Sequence, residues 1–228
     1  MTSPTQPASR PEGVASELAR HTHGRVPRDL RRRQLLELAT ELFSERGFPA
    51  ASMDELARRA GVSKPVIYDL FGSKEGLLVT VIEELGDELN TTVAAAVANR
   101  TGPAELLRAG SLAFFRFVGE RGPTWSMVFT ASRALAGASA PALEKLEEVR
   151  RRQDGLVSAV ILASARELGR EPGPLELGAV TRALNGLYEG LVEWWGEHPE
   201  ATPEQLTEWV MALVLPGLEA MASTTPDG

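Results

Sequence analysis

Residues 35–78 read LLELATELFSERGFPAASMDELARRAGVSKPVIYDLFGSKEGLL, and the spacing of their apolar and turn residues decides the fold. Leu35, Leu38, Ala39, Leu42 and Phe43 recur at three- to four-residue intervals, which predicts an amphipathic helix from about Arg28 to Arg46 that stops at Gly47. Ser52 with Glu55 three residues later has the form of a capping box, and Met53, Leu56, Ala57 and Ala60 supply the inner face of a short helix ending at Gly61. Gly61, Val62 and Ser63 form a tight turn, after which Ser63 caps a third helix with Pro65 in its first turn, where a missing N–H breaks no bond. Two short helices joined by a three-residue glycine turn have the form of a helix-turn-helix, which reads DNA with its second helix, although an ordinary packed helix pair has the same pattern.

Working outward, Gly72-Ser73 leads into a fourth helix through Leu77, Leu78, Val81, Ile82, Leu85 and Leu89 toward Asn99. Gly and Pro bound further helices at about 103–120, 124–136, 141–168, 174–197 and 203–221. No alternating run rich in Val, Ile and Thr is present, so the expectation is an all-α chain of nine helices. Pro, Ser, Thr and Gly dominate residues 1–13, and the chain closes on STTPDG, so both ends read as loose. The expected organisation is a flexible basic arm (1–27), a three-helix DNA-binding domain (28–76), a larger helical ligand-binding and dimerisation domain (77–222) and a short tail (223–228).

The net charge of −7 is unevenly placed. Residues 1–76 carry 12 Lys+Arg against 10 Asp+Glu, whereas residues 77–228 carry 12 against 21. The basic excess is densest at Arg25, Arg28, Arg31, Arg32 and Arg33, which reads either as a footprint for phosphate or as a solvated tail. The chain has no cysteine, which excludes disulfides, thiolate metal sites and a cysteine nucleophile. No stretch approaches the ~20 apolar residues of a membrane helix, and the first residues hold no apolar signal core, so the expected location is the cytoplasm with no membrane partner. G-x-S-x-G, Walker A, G-x-G-x-x-G and H-E-x-x-H patterns are all missing, and no catalytic residue, metal or cofactor is expected. His21 and His23 fall in the arm and read as solvated.

From Leu35 to Leu78 the chain resembles the DNA-binding domain of TetR-family regulators. The resemblance is carried by Ala39, Leu42-Phe43, Gly47-Phe48, Ser52, Leu56-Ala57, Ala60-Gly61-Val62-Ser63, Ile67-Tyr68, Phe71 and Ser73-Lys74-Glu75 with Leu77-Leu78. It implies a homodimeric repressor that binds a palindromic double-stranded operator and is released by a small-molecule effector. It also implies DNA contacts from Lys64, Pro65, Val66 and Tyr68, with phosphate clamping at Ser52 and Lys74, since helix N-termini favour anions. Ser63 and Arg28 join this DNA-facing set. Where many family members carry other residues this chain has Asp69 and Leu70, and Asp69 is expected to repel phosphate. The arginine stretch can compensate for it.

In the remainder, Phe114, Phe115, Phe117, Trp125, Met127 and Phe129 cluster in sequence. Such a stripe reads as core; the resemblance adds the reading that Phe115, Trp125, Phe129 and Trp194 line a mostly apolar effector pocket. Leu177, Val180, Leu184, Leu187, Leu191, Trp194 and Trp195, then Leu206, Trp209, Val210, Leu213 and Leu218, exceed what one side of a lone domain can cover. Those two segments are expected to pair with a second copy as a four-helix bundle. The rival readings are an activator, a DNA-binding protein governed by a partner protein, and a helical-bundle enzyme.

Overall fold

The computed structural model describes residues 14–19, 26–121 and 139–223, and among these every regular element is a helix. In chain order they are α1 (Val14–Ala19), α2 (Arg28–Arg46), α3 (Met53–Ala60), α4 (Lys64–Phe71), α5 (Lys74–Val97), α6 (Pro103–Arg121), α7 (Ala140–Glu167), α8 (Pro174–Glu197) and α9 (Pro203–Ser223). The helix expected over 124–136 lies outside the described residues, as do Trp125, Phe129 and the His21-His23 pair.

The head is built by α2, α3 and α4. Leu35, Leu42, Leu56 and Ile67 are fully buried between these helices, together with Leu77 and Leu78 from the start of α5. Phe43 meets Phe48 edge to face at 5.6 Å and closes the side toward the α2–α3 loop. Gly61 holds the turn because its backbone is left-handed (φ 65°, ψ 36°), which lets its N–H and that of Val62 close the end of α3 on Ala57 and Arg58.

Two local features differ from the sequence reading. Residues 14–19, expected as part of a flexible arm, form a short helix on α2, with Val14 buried and Glu17 paired to Arg33 at 2.5 Å. The capping box is half made: the Ser52 side chain accepts from the Asp54 N–H, but Glu55 turns to Arg59 at 2.7 Å. A charge-assisted pair is stronger than a neutral back-bond to the Ser52 N–H, and Arg59, which also holds Glu45, takes it.

α5 leaves the head and becomes the central element of the body. Val79, Val81 and Ile82 continue its buried face, against which α6 and α7 pack, while α9 packs on α6 and α8 on α7. Phe115 and Phe117 of α6, Val192 of α8, and Leu206, Val210 and Met211 of α9 extend the same core. Polar ties fix the α5–α7 joint: Glu83 receives both Arg152 and Lys145, and Arg152 also lies 3.7 Å from Asp87. On the head side Arg32 of α2 pairs with Glu84 at 2.5 Å.

Candidate nucleic-acid interface and interior cavity

The exposed edge of the head is formed by the N-terminal turns of α3 and α4. Ile67 alone among the α4 residues is fully buried, so the helix is anchored by one side chain and shows the rest of its first two turns outward. Pro65, Val66 and Tyr68 are exposed, the last two at 37% and 43%, high values for large apolar groups without a covering partner. Ser63 is exposed at the N-terminus of α4 and makes no side-chain cap. Ser52 is exposed at the N-terminus of α3.

Two cations of this edge, Lys64 and Arg28, are held by carboxylates. Lys64 reaches Asp54 at 2.7 Å, which raises its pKa above the ordinary lysine value. Arg28, at the start of α2, donates to both the side chain and the backbone carbonyl of Asp69, at 3.0 and 3.2 Å. Asp69, the residue that the sequence made a repeller of phosphate, is therefore neutralised by Arg28. Lys74, at the start of α5, donates to the Pro49 carbonyl at 3.2 Å and lies 4.6 Å from the centre of the Phe48 ring; partial burial lowers its pKa. The structure brings Arg28, Ser52, Ser63, Lys64, Pro65, Val66, Tyr68 and Lys74 onto α2, α3, α4 and the first turn of α5.

Of the four residues expected around a pocket, Trp125 and Phe129 lie outside the described residues, and Phe115 and Trp194 are on opposite sides of the packing, one inside and one outside. Phe115 is fully buried, packed on Phe114 at 5.2 Å, Tyr188 at 5.6 Å and Trp195 at 6.3 Å, and it belongs to the core. Trp194 is on the outer face, stacked on His198 at 4.1 Å and edge-on to Trp209 at 5.6 Å. A cavity of about 270 Å³ does exist, lined by α5, α6, α7 and α8 with Leu218 of α9. That volume is close to the lower limit for a small-molecule site. Its walls are mostly apolar, with Ile82, Val93, Leu107, Phe114, Val157 and Leu184 among them. Polar groups interrupt them: Ser111, Tyr188, and Asp154, which accepts from Asn185 at 2.5 Å. Sequence reasoning missed Ser111, Asp154 and Asn185. The legible signal was a polar side chain on each otherwise apolar helix stripe.

An exposed apolar face lies on the other side of α8 and α9. Leu175, Trp194, Trp209 and Leu213 are exposed at 93%, 38%, 42% and 66%. Between Leu175 and Trp194 run Ala179, Ala183, Gly186 and Gly190, all exposed, and a Cβ added at either glycine would meet nothing within 4 Å. Leu184, Leu206 and Val210, expected in an intermolecular face, are instead buried within the chain's own core. Among the described residues no helix is long and apolar enough to cross a membrane, and no group of three or more His, Asp or Glu could hold a metal ion.

Residues 35–81 match the family described as bacterial regulatory proteins, tetR family. The chain is 45% identical over 105 residues to the transcriptional activator FasR of Mycolicibacterium smegmatis, a match covering 46% of this chain and 48% of that relative. It is 27% identical over 188 residues to the transcriptional repressor KstR2 of Mycobacterium tuberculosis, covering 82% and 92% of the two chains. A solved TetR-like regulator from Rhodococcus sp. RHA1 superposes with a TM-score of 0.63 at 28% identity, over 85% of this chain and 98% of that one. The helix-turn-helix geometry, the helical body behind it and these likenesses agree: residues 35–81 are a tetR-family DNA-binding domain, and the chain as a whole is similar to TetR-family transcriptional regulators.

Proposed function

We propose that this regulator is a cytoplasmic, non-enzymatic homodimeric repressor that leaves a palindromic operator when a small, mostly apolar effector enters the cavity between α5 and α8. The observation that supports it is the course of α5, which begins beside the DNA-facing edge at Lys74 and supplies Ile82, Leu89, Asn90 and Val93 to the cavity wall. One rigid helix thus belongs to both sites. An effector needs only to prefer the state that does not fit DNA, since coupling of ~1–3 kcal/mol shifts affinity by about 5- to 150-fold. In this reading residues 28–76 are the DNA-binding unit and 77–222 the sensing and pairing unit. The name of the FasR relative favours a second reading, activation at the same operator, and a reporter fused to the bound promoter separates the two by the sign of the response.

The DNA contacts follow from the chemistry of the exposed edge. Lys64 donates to a base edge or phosphate once it leaves Asp54, Val66 and Pro65 touch a thymine methyl, and Tyr68 gives its hydroxyl to a phosphate. Ser52, Ser63, Arg28 and Lys74 engage the backbone. Lys74→Ala should weaken binding about equally on all sequences and reduce the slope of log affinity against log salt by roughly 0.9, one phosphate contact. Lys64→Ala should in addition relax base preference. A salt titration on operator and random duplex checks both, and parental behaviour in both variants would remove α4 from the major groove.

Mapping bound DNA across the genome, with and without the cell's own metabolites, tests the regulatory reading as a whole. The matching test on the protein is thermal: an effector at ~100 times its dissociation constant should add ~2.7 kcal/mol of stability. If only polar compounds or a protein partner release the operator, the apolar effector reading is wrong.

A further inference from the structure

The hydroxyls of Ser111 on α6 and Tyr188 on α8 meet at 2.6 Å on the cavity wall. Ser111 is buried, and its oxygen also lies 2.6 Å from the carbonyl oxygen of Leu107, one helical turn back. A carbonyl only accepts, so the Ser111 proton is directed at Leu107. The contact between the two hydroxyls is then made by Tyr188, whose O–H donates to the Ser111 oxygen. Both protons are engaged within the protein. Among the described residues no other group hydrogen-bonds the Tyr188 oxygen, so it presents a lone pair to a ligand and no proton. Burial raises the Tyr188 pKa to about 12, which keeps the phenol neutral at physiological pH. Phe114 at 4.9 Å and Phe115 at 5.6 Å fix the ring in place.

The rest of the wall sets the charge a ligand can carry. Its charged residues are Arg150, Arg182, Asp154 and Glu189, two of each sign, so their formal charges sum to zero.

We propose, resting on the reading of this cavity as the effector site, that it selects an uncharged, largely apolar ligand bearing a hydroxyl, which donates its proton to the Tyr188 oxygen. A ketone in the same place meets lone pair with lone pair. To bind it, the Tyr188 proton must turn from Ser111 to the ligand and the Ser111 proton from Leu107 to Tyr188, giving up one hydrogen bond. The ketone is therefore weaker by about 2- to 10-fold, and a carboxylate, which has no proton to donate and a larger desolvation cost, by about 10- to 100-fold.

The test uses the full-length protein and the eight-carbon set 2-octanol, 2-octanone, octanoate and octane, compared by melting temperature and titration calorimetry. 2-Octanol should bind tightest of the four. Tyr188→Phe keeps the ring packing and leaves the Ser111 proton on Leu107, so it should fold normally and lose the preference for 2-octanol over octane. Ser111→Ala frees the Tyr188 proton, so 2-octanone should gain affinity until it equals or passes 2-octanol. If octanone or octanoate binds the parent protein best, or Ser111→Ala leaves the alcohol-to-ketone ratio unchanged, the hydroxyl assignment is overturned while the effector cavity stands. If none of the four binds, the cavity is not an apolar effector site and both readings fall.

Discussion

Gly76→Ala should destabilise the protein by more than the ~1–3 kcal/mol typical of an overpacked site and should separate the head from α5. Gly76 lies in the first turn of α5, where its N–H is capped by the Ser73 side chain at 3.0 Å. The carbonyl of Phe71, the last residue of α4, lies so close that a Cβ at position 76 would overlap its oxygen. That oxygen belongs to the backbone and cannot rotate away, so the junction between α4 and α5 has to open. Helix propensity argues for the opposite sign, because Ala inside a helix is better than Gly by up to ~1 kcal/mol. The two effects are unequal, and the overlap decides. In a chain of this size each kcal/mol shifts the melting point by roughly 2–4 °C, so calorimetry resolves the effect, and operator binding should fall with it. Gly119→Ala is the control: its Cβ would meet the tip of the Trp195 ring, a side chain that can shift, and the loss should be smaller. A Gly76→Ala protein as stable as the parent would show that the junction is loose.

Leu213→Glu should convert the protein to monomers and abolish tight operator binding. Leu213 lies one turn beyond Trp209 on the exposed face of α9, and Trp209 meets Trp194 of α8 edge-on at 5.6 Å. Removing a Leu from a buried contact costs about 1.5–3 kcal/mol, and two-fold symmetry applies that cost twice in each dimer. The introduced carboxylate adds a desolvation cost where that face is covered. Since the side chain is mostly exposed within one chain, the monomer itself should fold and melt nearly as before. Sedimentation gives the oligomeric state directly. An unchanged dimer would move the pairing surface away from α8 and α9.

Helix limits were the most legible part of this chain. Pro103, Pro174 and Pro203 stand at the first residues of α6, α8 and α9, where proline is tolerated because those N–H groups have no intrahelical acceptor. Faces were less legible than limits. Leu184, Leu206 and Val210 follow the same helical period as residues of the outer face, and period alone does not say which of two apolar sides meets the chain's own core. The exposed glycines of α8 carry that information, since bare backbone on an open face leaves room for a close neighbour.

The cavity was least legible, because it is a volume left between four helices, and no single stripe encodes it. Phe114 and Phe115 are adjacent in sequence and ~100° apart around the helix; one faces the void and the other the core. On the exposed edge of the head the sequence named Lys64, Pro65, Val66 and Tyr68 of α4 but not Asp54, which holds Lys64. It could not show that Arg28 and Asp69, 41 positions apart, cancel each other.

The 24 residues of α5 make a rod roughly 36 Å long at 1.5 Å per residue. Its far half is cavity wall and its near end is capped into the head by Ser73. A rod of that length multiplies motion: turning it by about 5° at the cavity carries the other end through roughly 3 Å, close to the ~3.4 Å rise of one DNA base pair. In a symmetric pair both heads travel, and their separation changes by up to twice that amount. A ligand that displaces the wall by the width of a methyl group can thereby put two reading helices out of step with the groove.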